Sequence, residues 1–118
     1  MAQTNLEIHV KTNNDDINYK IIEFIGDFDK AGHSEIKDTL NEIIKNFDQK
    51  ILIFDFSKLN FINSESIGYL MEIHSYLLDK EKKLVLIGVK NNIADIFDAI
   101  GLNEIVDIYP NLDSFLNK

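Results

Sequence analysis

A serine that follows a strand-type run and precedes a helical pattern is the residue of this chain best placed for chemistry. It is Ser64, within residues 61–68, which read FINSESIG. The first turn of a helix leaves backbone N–H groups unpaired, and the helix macrodipole adds partial positive charge there. A phosphate on Ser64 would therefore be held without refolding the chain, which makes this serine a candidate switch. The alternative is a serine that only helps the helix to begin, as serine often does.

Two carboxylates, Asp27 and Asp29, stand between another strand-type run and another helical pattern. Acids in such a place form turns or stabilise the N-terminus of the following helix. The alternative is a functional site that uses the two carboxylates as a pair. General acid–base catalysis is not predicted, because no histidine, lysine or glycine-rich loop is placed beside the pair by the sequence.

The three histidines, His9, His33 and His74, share no metal-ligand spacing. Glu72 cannot chelate together with His74, since residues two apart on a helix do not face each other. We therefore predict no metal site and a partly buried packing role for His74.

Asp55 lies inside an apolar strand, which invites comparison with the receiver domains of two-component systems. A receiver needs an acidic pair at the end of its first strand to hold Mg²⁺, but here the first strand is followed by Lys11. We interpret Asp55 as a hydrogen-bonded acid at a strand end. The chain also lacks a glycine-rich phosphate loop, so we predict neither catalytic residues nor a cofactor.

Size and charge narrow the class of protein further. The 118 residues, 45% of them hydrophobic, predict one domain over residues 1–118. The absence of a long apolar run and of a secretory leader predicts a cytoplasmic protein without membrane insertion. A net charge of −8 disfavours nucleic acid as a partner, and zero cysteines exclude disulfides and thiolate catalysis.

Hydrophobic patterning predicts an opening hairpin followed by alternating helices and strands. The expected strands are Leu6–Val10, Ile17–Ile25, Ile51–Phe56, Leu84–Gly88 and Glu104–Tyr109. The expected helices are 32–46 capped by His33 or Ser34, 64–79, one from Asn91 or Asn92 to Gly101, and 111–116, and residues 12–16 form a turn. The order is ββαβαβαβα, which defines an α/β domain with a mixed sheet and helices packed on it.

The helix over 64–79 carries two apolar stripes. One is predicted to face the core and contains Ile67, Leu70, Met71, His74, Leu77 and Leu78. The other contains Tyr69, Ile73 and Tyr76, and it is either covered by a neighbouring element or exposed to a partner near Ser64.

The order of elements and two motifs resemble the STAS domain family, in particular the bacterial anti-sigma factor antagonists. The family commonly has Gly-Glu-Leu-Asp after its second strand, and Gly26-Asp27-Phe28-Asp29 matches it with one acidic exchange. It has Phe-Ile-Asp-Ser-Ser-Gly-Leu-Gly after its third strand, which matches residues 61–68. The likeness covers nearly the whole chain, and Ser64 falls on the phosphorylated serine of the family.

The resemblance implies a non-enzymatic switch in partner binding. The unphosphorylated protein would capture an anti-sigma factor, often itself a serine kinase, phosphorylation of Ser64 would release it, and a serine phosphatase would reset the system. The predicted partner surface consists of Asp27, Asp29, Asn63, Ser64, Glu65, Ser66 and Tyr69.

Three residues change the chemistry of the family motif. Asn63 replaces an aspartate and keeps the capping oxygen without its charge, while Glu65 replaces a serine and adds a fixed charge beside the hydroxyl. Ser66 replaces a glycine and narrows the approach of a partner backbone. These departures favour the alternative of a non-cycling STAS scaffold or accessory subunit, such as a component of a stressosome or of a lipid-transport ATPase.

Overall fold

The computed structural model describes residues 4–11 and 18–118, in which five strands and four α-helices follow one another. They are β1 (Leu6–Val10), β2 (Tyr19–Phe28), α1 (Lys30–Asn46), β3 (Ile51–Ile62), α2 (Ser64–Asp79), β4 (Lys83–Ile87), α3 (Asn91–Ile100), β5 (Asp107–Tyr109) and α4 (Leu112–Leu116). This order confirms the predicted ββαβαβαβα arrangement. The predicted turn at residues 12–16 and Ile17 lie outside the described residues.

The strands form one mixed sheet in the order β1-β2-β3-β4-β5. β1 is antiparallel to β2, and the pairs β2–β3, β3–β4 and β4–β5 are parallel. Parallel neighbours need crossover connections, which α1, α2 and α3 supply. Consequently the helices that follow β2 and β3 begin at the same end of the sheet, which we call the carboxyl edge.

Alternating side chains divide the sheet into two faces. On the helix-covered face, residues such as Phe24, Phe54 and Leu86 join the main core with Leu40 of α1 and Leu70 of α2. The opposite face carries a smaller apolar cluster, in which Ile21, Ile53, Val85 and Ile87 pack with Phe115 of α4. The prediction of a strand buried on both faces is confirmed for β3, since Leu52 to Phe56 are all buried.

The first and third helices begin differently from the predictions. Asp29, not His33 or Ser34, caps α1, because its carboxylate is near the free N–H of Gly32 and the helix therefore starts two residues early, at Lys30. The N-cap of α3 is Lys90, without a side-chain cap, rather than Asn91 or Asn92.

The end of β3 also differs from the prediction, whereas the end of α3 agrees with it. β3 continues to Ile62 instead of stopping at Phe56, because β2 keeps pairing with it through two register shifts, with Gly26 opposite Leu59 and Phe28 opposite Ile62. Gly101 ends α3 in the left-handed region at φ 79, as predicted.

The core stripe of α2 lies partly where the sequence predicted it. Ile67, Leu70 and Leu77 are buried, but Met71 is 38% exposed and Leu78 is 53% exposed. Ile73, assigned to the second stripe, is buried in the main core instead. The buried line follows helical spacing through 66, 70, 73 and 77, so residues 71 and 78 fall just past its margin.

Candidate functional site

The carboxyl edge brings the two predicted motifs together. At the ends of β2 and β3, Asp27 lies opposite Phe61 and Phe28 opposite Ile62. The backbone N–H of Asn63 then donates to the carbonyl oxygen of Phe28 at 3.1 Å. The two strand-to-helix junctions are therefore hydrogen-bonded neighbours, and Asp27, Asp29, Asn63, Ser64 and Glu65 form what we call the carboxyl-edge site.

Asn63 organises the start of α2. It has extended backbone geometry, φ −95 and ψ 172, and its side-chain oxygen accepts from the N–H of Ser66 at 2.8 Å. The carbonyl oxygen of Asn63 accepts the N–H of Ile67 at 3.0 Å. The aspartate-to-asparagine departure therefore keeps the helix cap, as the sequence predicted.

Ser64 is the first residue of α2, and its side chain is exposed. The cap occupies the N–H of Ser66, whereas the N–H groups of Ser64 and Glu65 belong to the first turn, which has no intrahelical acceptor. Glu65 is also exposed and supplies the acidic charge of this turn. The hydroxyl of Ser64 thus stands at a positive helix end with a carboxylate on the next residue.

The carboxylate of Asp29 interacts with a backbone N–H of α1 and with a side-chain amide that precedes β1. Its Oδ1 accepts from the N–H of Gly32 at 2.8 Å, and the side-chain N–H₂ of Asn5 lies 3.4 Å from each carboxylate oxygen. The hydrogen bond from Gly32, supported by Asn5, lowers the pKa of Asp29 below its ordinary value despite some desolvation. Asp29 therefore carries a negative charge at the N-terminus of α1.

Asp27 is half-buried, and its backbone is closely confined. Its N–H donates to the carbonyl oxygen of Asn5 at 2.9 Å. A β-carbon on Gly32 would lie only 2.2 Å from the carbonyl oxygen of Asp27, so this glycine is what lets α1 approach the strand end. The two acids thus occupy fixed backbone positions beside the start of α2.

Tyr69 of α2 contacts two residues of α1. Its hydroxyl donates to Oδ1 of Asn41 at 2.6 Å, and its ring centroid lies 4.4 Å from that of His33. Burial, with a smaller contribution from the charge of Glu72, raises the pKa of Tyr69 to about 12. The half-buried ring borders a shallow groove of about 180 Å³ between the two helices, whose other lining residues are Asn41, Ile44, Lys45, Glu72, Ile73 and Tyr76.

Ser66 departs from the predicted partner surface. It is 1% exposed, because it begins the buried line of α2 that continues through Leu70. Contrary to the prediction, its side chain has no surface to offer a partner. Phe61, which was not among the predicted site residues, is 49% exposed and lies three residues before Ser64, the first residue of α2. Its exposure could have been suspected from the sequence, because an aromatic residue there follows polar residues near the end of a strand.

Asp55 lies on the face of the sheet that packs with α4, opposite the face covered by α1 and α2. It is 5% exposed, and its oxygens accept from Nζ of Lys11 at 2.8 Å and from the N–H of Ser57 at 3.0 Å. Burial acts to raise the pKa of Asp55, but these hydrogen bonds outweigh it and hold the pKa below the ordinary value. The interpretation of Asp55 as a hydrogen-bonded acid is confirmed, but the residue lies inside β3 and not at a strand end, because β3 continues to Ile62.

The other titratable residues can be set against the requirements of a metal site and of a packing role. Within the described ranges, no group of three or more His, Asp or Glu side chains is arranged to hold a metal ion. His74 is half-buried, as predicted for a packing residue. Among the described helices, none is long and apolar enough to cross a membrane.

The STAS domain family matches residues 7–115, and the chain belongs to this family. Its structure is similar to that of an anti-sigma factor antagonist from Mycobacterium paratuberculosis, with 17% sequence identity, a TM-score of 0.81, and coverage of 95% of this chain and 92% of that one.

Two structures of the anti-sigma factor antagonist SpoIIAA share this fold. The unphosphorylated form matches with 14% identity and a TM-score of 0.74, covering 94% of this chain and 95% of that one. The phosphorylated form from Bacillus matches with 14% identity and a TM-score of 0.68, covering 94% and 98%. At these identities the likeness establishes the SpoIIAA-like α/β fold.

Proposed function

We propose that this protein is an anti-sigma factor antagonist, a non-catalytic switch that binds an anti-sigma factor through the carboxyl-edge site. The observation that carries the proposal is the exposed hydroxyl of Ser64 at the N-terminus of α2, with Asp27 and Asp29 on the hydrogen-bonded neighbouring junction. Membership of the STAS family and the fold shared with antagonists, SpoIIAA among them, support it.

Phosphorylation of Ser64 would reverse binding by changing charge rather than fold. A phosphoserine carries about −1.5 to −2 charges at neutral pH, and the first-turn N–H groups and the helix dipole would accommodate it. The same charge would lie beside Glu65 and the capping carboxylate of Asp29, so the net negative charge of the contact would rise sharply. A partner fitted to the neutral hydroxyl would then be repelled.

The partners of this switch would be an anti-sigma factor with serine kinase activity and a serine phosphatase, all in the cytoplasm. The net charge of −8 suits a basic patch on a protein partner and opposes binding to nucleic acid. Ser64 would be the regulatory residue, and Asp27, Asn63 and Glu65 would contact the partner beside it.

The direct test uses a kinase-type anti-sigma factor from the same genome. The wild-type chain is incubated with this kinase and ATP, and intact mass followed by peptide mapping is expected to find one phosphoryl group, on Ser64. Calorimetry is expected to show binding by wild type and by Ser64→Ala and a large loss of affinity in Ser64→Glu. Ser75→Ala, which removes an exposed serine from the same helix, is the matched control and should behave as wild type.

Two outcomes would overturn the switch. One is a phosphoryl group on another residue or on none. The other is an affinity for the kinase that is equal in wild type and Ser64→Glu.

Glu65 favours a second candidate function, that of a STAS scaffold or accessory subunit that holds one partner without cycling. Its exposed carboxylate already places a permanent charge in the first turn, and Asn63 lacks the family carboxylate. A fixed partner, for example in a stressosome or a lipid-transport ATPase, would bind wild type, Ser64→Ala and Ser64→Glu alike. The same set of variants therefore separates the two functions.

A further inference from the structure

One margin of the sheet is formed by β1, whose neighbour among the described strands is β2 alone. Three of its five residues are exposed. Val10 is 50% exposed, and the side chains of His9 and Glu7 are 55% and 51% exposed. An edge strand presents unpaired backbone groups that can pair with another chain, and β1 contains neither proline nor lysine, two residues that commonly prevent such pairing.

The register with β2 fixes which backbone groups point outward. The N–H of Lys11 donates to the carbonyl oxygen of Ile21, and the N–H of Asp27 donates to that of Asn5, each at 2.9 Å. In an antiparallel ladder, hydrogen-bonded positions alternate with positions whose backbone groups face away. The odd-numbered residues of β1 therefore face β2, and the N–H and C=O groups of Leu6, Ile8 and Val10 face outward.

The side chains of β1 form a self-complementary series. Read in either direction from Ile8, the strand gives an ionisable residue and then an aliphatic one, with Glu7 and Leu6 on one side and His9 and Val10 on the other. Glu7 and His9 share one face, where Oε2 and Nε2 lie 3.2 Å apart. Leu6 and Ile8 share the other face and pack against the main core.

We propose that β1 pairs in antiparallel fashion with β1 of a second copy of this chain, about a two-fold axis at Ile8. Leu6 then faces Val10 of the other copy, and Glu7 faces His9. The pair of Glu7 and His9 falls at a non-hydrogen-bonded position, where side chains approach most closely, and carboxylate and imidazole are complementary there. The same surface serves both subunits, as two-fold symmetry requires.

Glu35 limits the length of this ladder. Its Oε1 accepts from the N–H groups of Asn5 at 2.9 Å and Leu6 at 3.3 Å, so the N–H of Leu6 is already engaged. Ile8 and Val10 supply the N–H groups that cross the interface, to the carbonyl oxygens of Ile8 and Leu6 of the other copy. The interface is short, and association is therefore weak and concentration-dependent.

The arrangement leaves the carboxyl-edge sites of both copies accessible. Leu6 pairs with Gly26 near the carboxyl edge of its own sheet, and the two β1 strands run in opposite directions. The two sites thus lie at opposite ends of one continuous sheet, and the dimer is divalent for its partner.

Sedimentation velocity over a wide concentration range tests the pairing. The apparent mass of the wild-type chain is expected to rise from 13.6 kDa toward twice that value. Glu7→Lys places a cation opposite His9 and should raise the dissociation constant about tenfold, as should Val10→Lys, which puts a charge in the pairing margin. Glu7→Lys combined with His9→Glu exchanges the two charges and should restore dimerisation.

Asp95→Lys, an equal charge change on the exposed side of α3, is the matched control and should dimerise as wild type. Circular dichroism confirms that each variant is folded. A wild-type chain that stays monomeric at every concentration overturns the proposal. So does a dimer that Glu7→Lys and Val10→Lys leave unchanged, because another surface must then hold it.

Discussion

The backbone N–H of Asn63 donates to the carbonyl oxygen of Phe28 at 3.1 Å, and this bond joins the start of α2 to the end of β2. Asp29, which follows Phe28, caps α1, while Asn63 caps α2. The backbone pairing between the ends of β2 and β3 therefore fixes the relative positions of the two capping residues. A change at either cap acts on the surface that surrounds Ser64.

Removing the cap of α2 should destabilise the domain. Asn63→Ala leaves the N–H of Ser66 without its acceptor and should lower the free energy of unfolding by about 0.5–2 kcal/mol. Asn63→Asp retains an oxygen at the same place and should stay within a few tenths of a kcal/mol of wild type, or above it, since aspartate also favours a helix N-terminus. Urea denaturation measures both. Equal losses in the two variants would contradict a capping role.

The two helical glycines near the site should respond oppositely to alanine. A β-carbon on Gly32 would lie 2.2 Å from the carbonyl oxygen of Asp27 and 2.9 Å from Cβ of Leu6, so Gly32→Ala must displace α1 and destabilise. A β-carbon on Gly68 would have no heavy atom within 4 Å, so Gly68→Ala should stabilise by about 0.5–1 kcal/mol through helix propensity.

Thermal unfolding compares the two glycine variants directly, and Gly68→Ala is the control for the general effect of alanine in a helix. A Gly32→Ala protein as stable as wild type would mean that α1 does not need its close approach to the end of β2.

The charge of Asp29 should make stability depend on pH. Its pKa is lowered in the folded protein, so its contribution is fully present above the ordinary value of 3.8 and is lost as the pH falls through the lower, folded value. Asp29→Asn keeps a capping oxygen but removes the charge. The difference in unfolding free energy between wild type and Asp29→Asn should therefore be largest near neutral pH and shrink in acid. A difference that is constant with pH would contradict this assignment.

The sequence predicted the order of elements because periodicity and turn residues are local signals. It did not predict the end of β3 at Ile62, since Ser57, Lys58 and Asn60 interrupt the apolar run and the stretch is ordered by pairing with β2. It placed Met71 and Leu78 in the core, because both fit a helical stripe whose exact centre depends on how α2 lies on the sheet.

The candidate site likewise has features that local sequence predicts and features that depend on packing. The helix start at Ser64 and the capping role of Asn63 follow from the residues on either side of them. The burial of Ser66 and the contact of Tyr69 with Asn41 depend on packing between α1 and α2, which local sequence does not contain. Asp29 was selected as an acid near a helix start, but its role as the cap emerged only from its distance to Gly32.

The pair of Lys11 and Asp55 should contribute more to stability than any other ion pair on its face of the described sheet. Asp55 is 5% exposed, and Nζ of Lys11 lies 2.8 Å from its Oδ2. Lys11→Met leaves the buried carboxylate with its hydrogen bonds from Ser57 and also removes the 3.6 Å contact of Lys11 with Glu23. It should lower the free energy of unfolding by about 1–3 kcal/mol. Lys58→Met is the control, since Lys58 is 61% exposed and its ion pair with Glu23, at 3.5 Å, does not involve the buried carboxylate of Asp55. Its effect should be within about 0.5 kcal/mol.

The pH dependence of this pair follows from the directions of its two pKa values. The pKa of Asp55 is lowered, so its contribution is present above 3.8 and is lost as the pH falls through the folded value. The pKa of Lys11 is raised, so its contribution is present below 10.5 and is lost as the pH rises through the folded value. A double-mutant cycle of Lys11→Met and Asp55→Asn at neutral pH should give a coupling of about 0.5–3 kcal/mol that disappears in acid. A coupling near zero at neutral pH would mean that the close contact contributes nothing to stability.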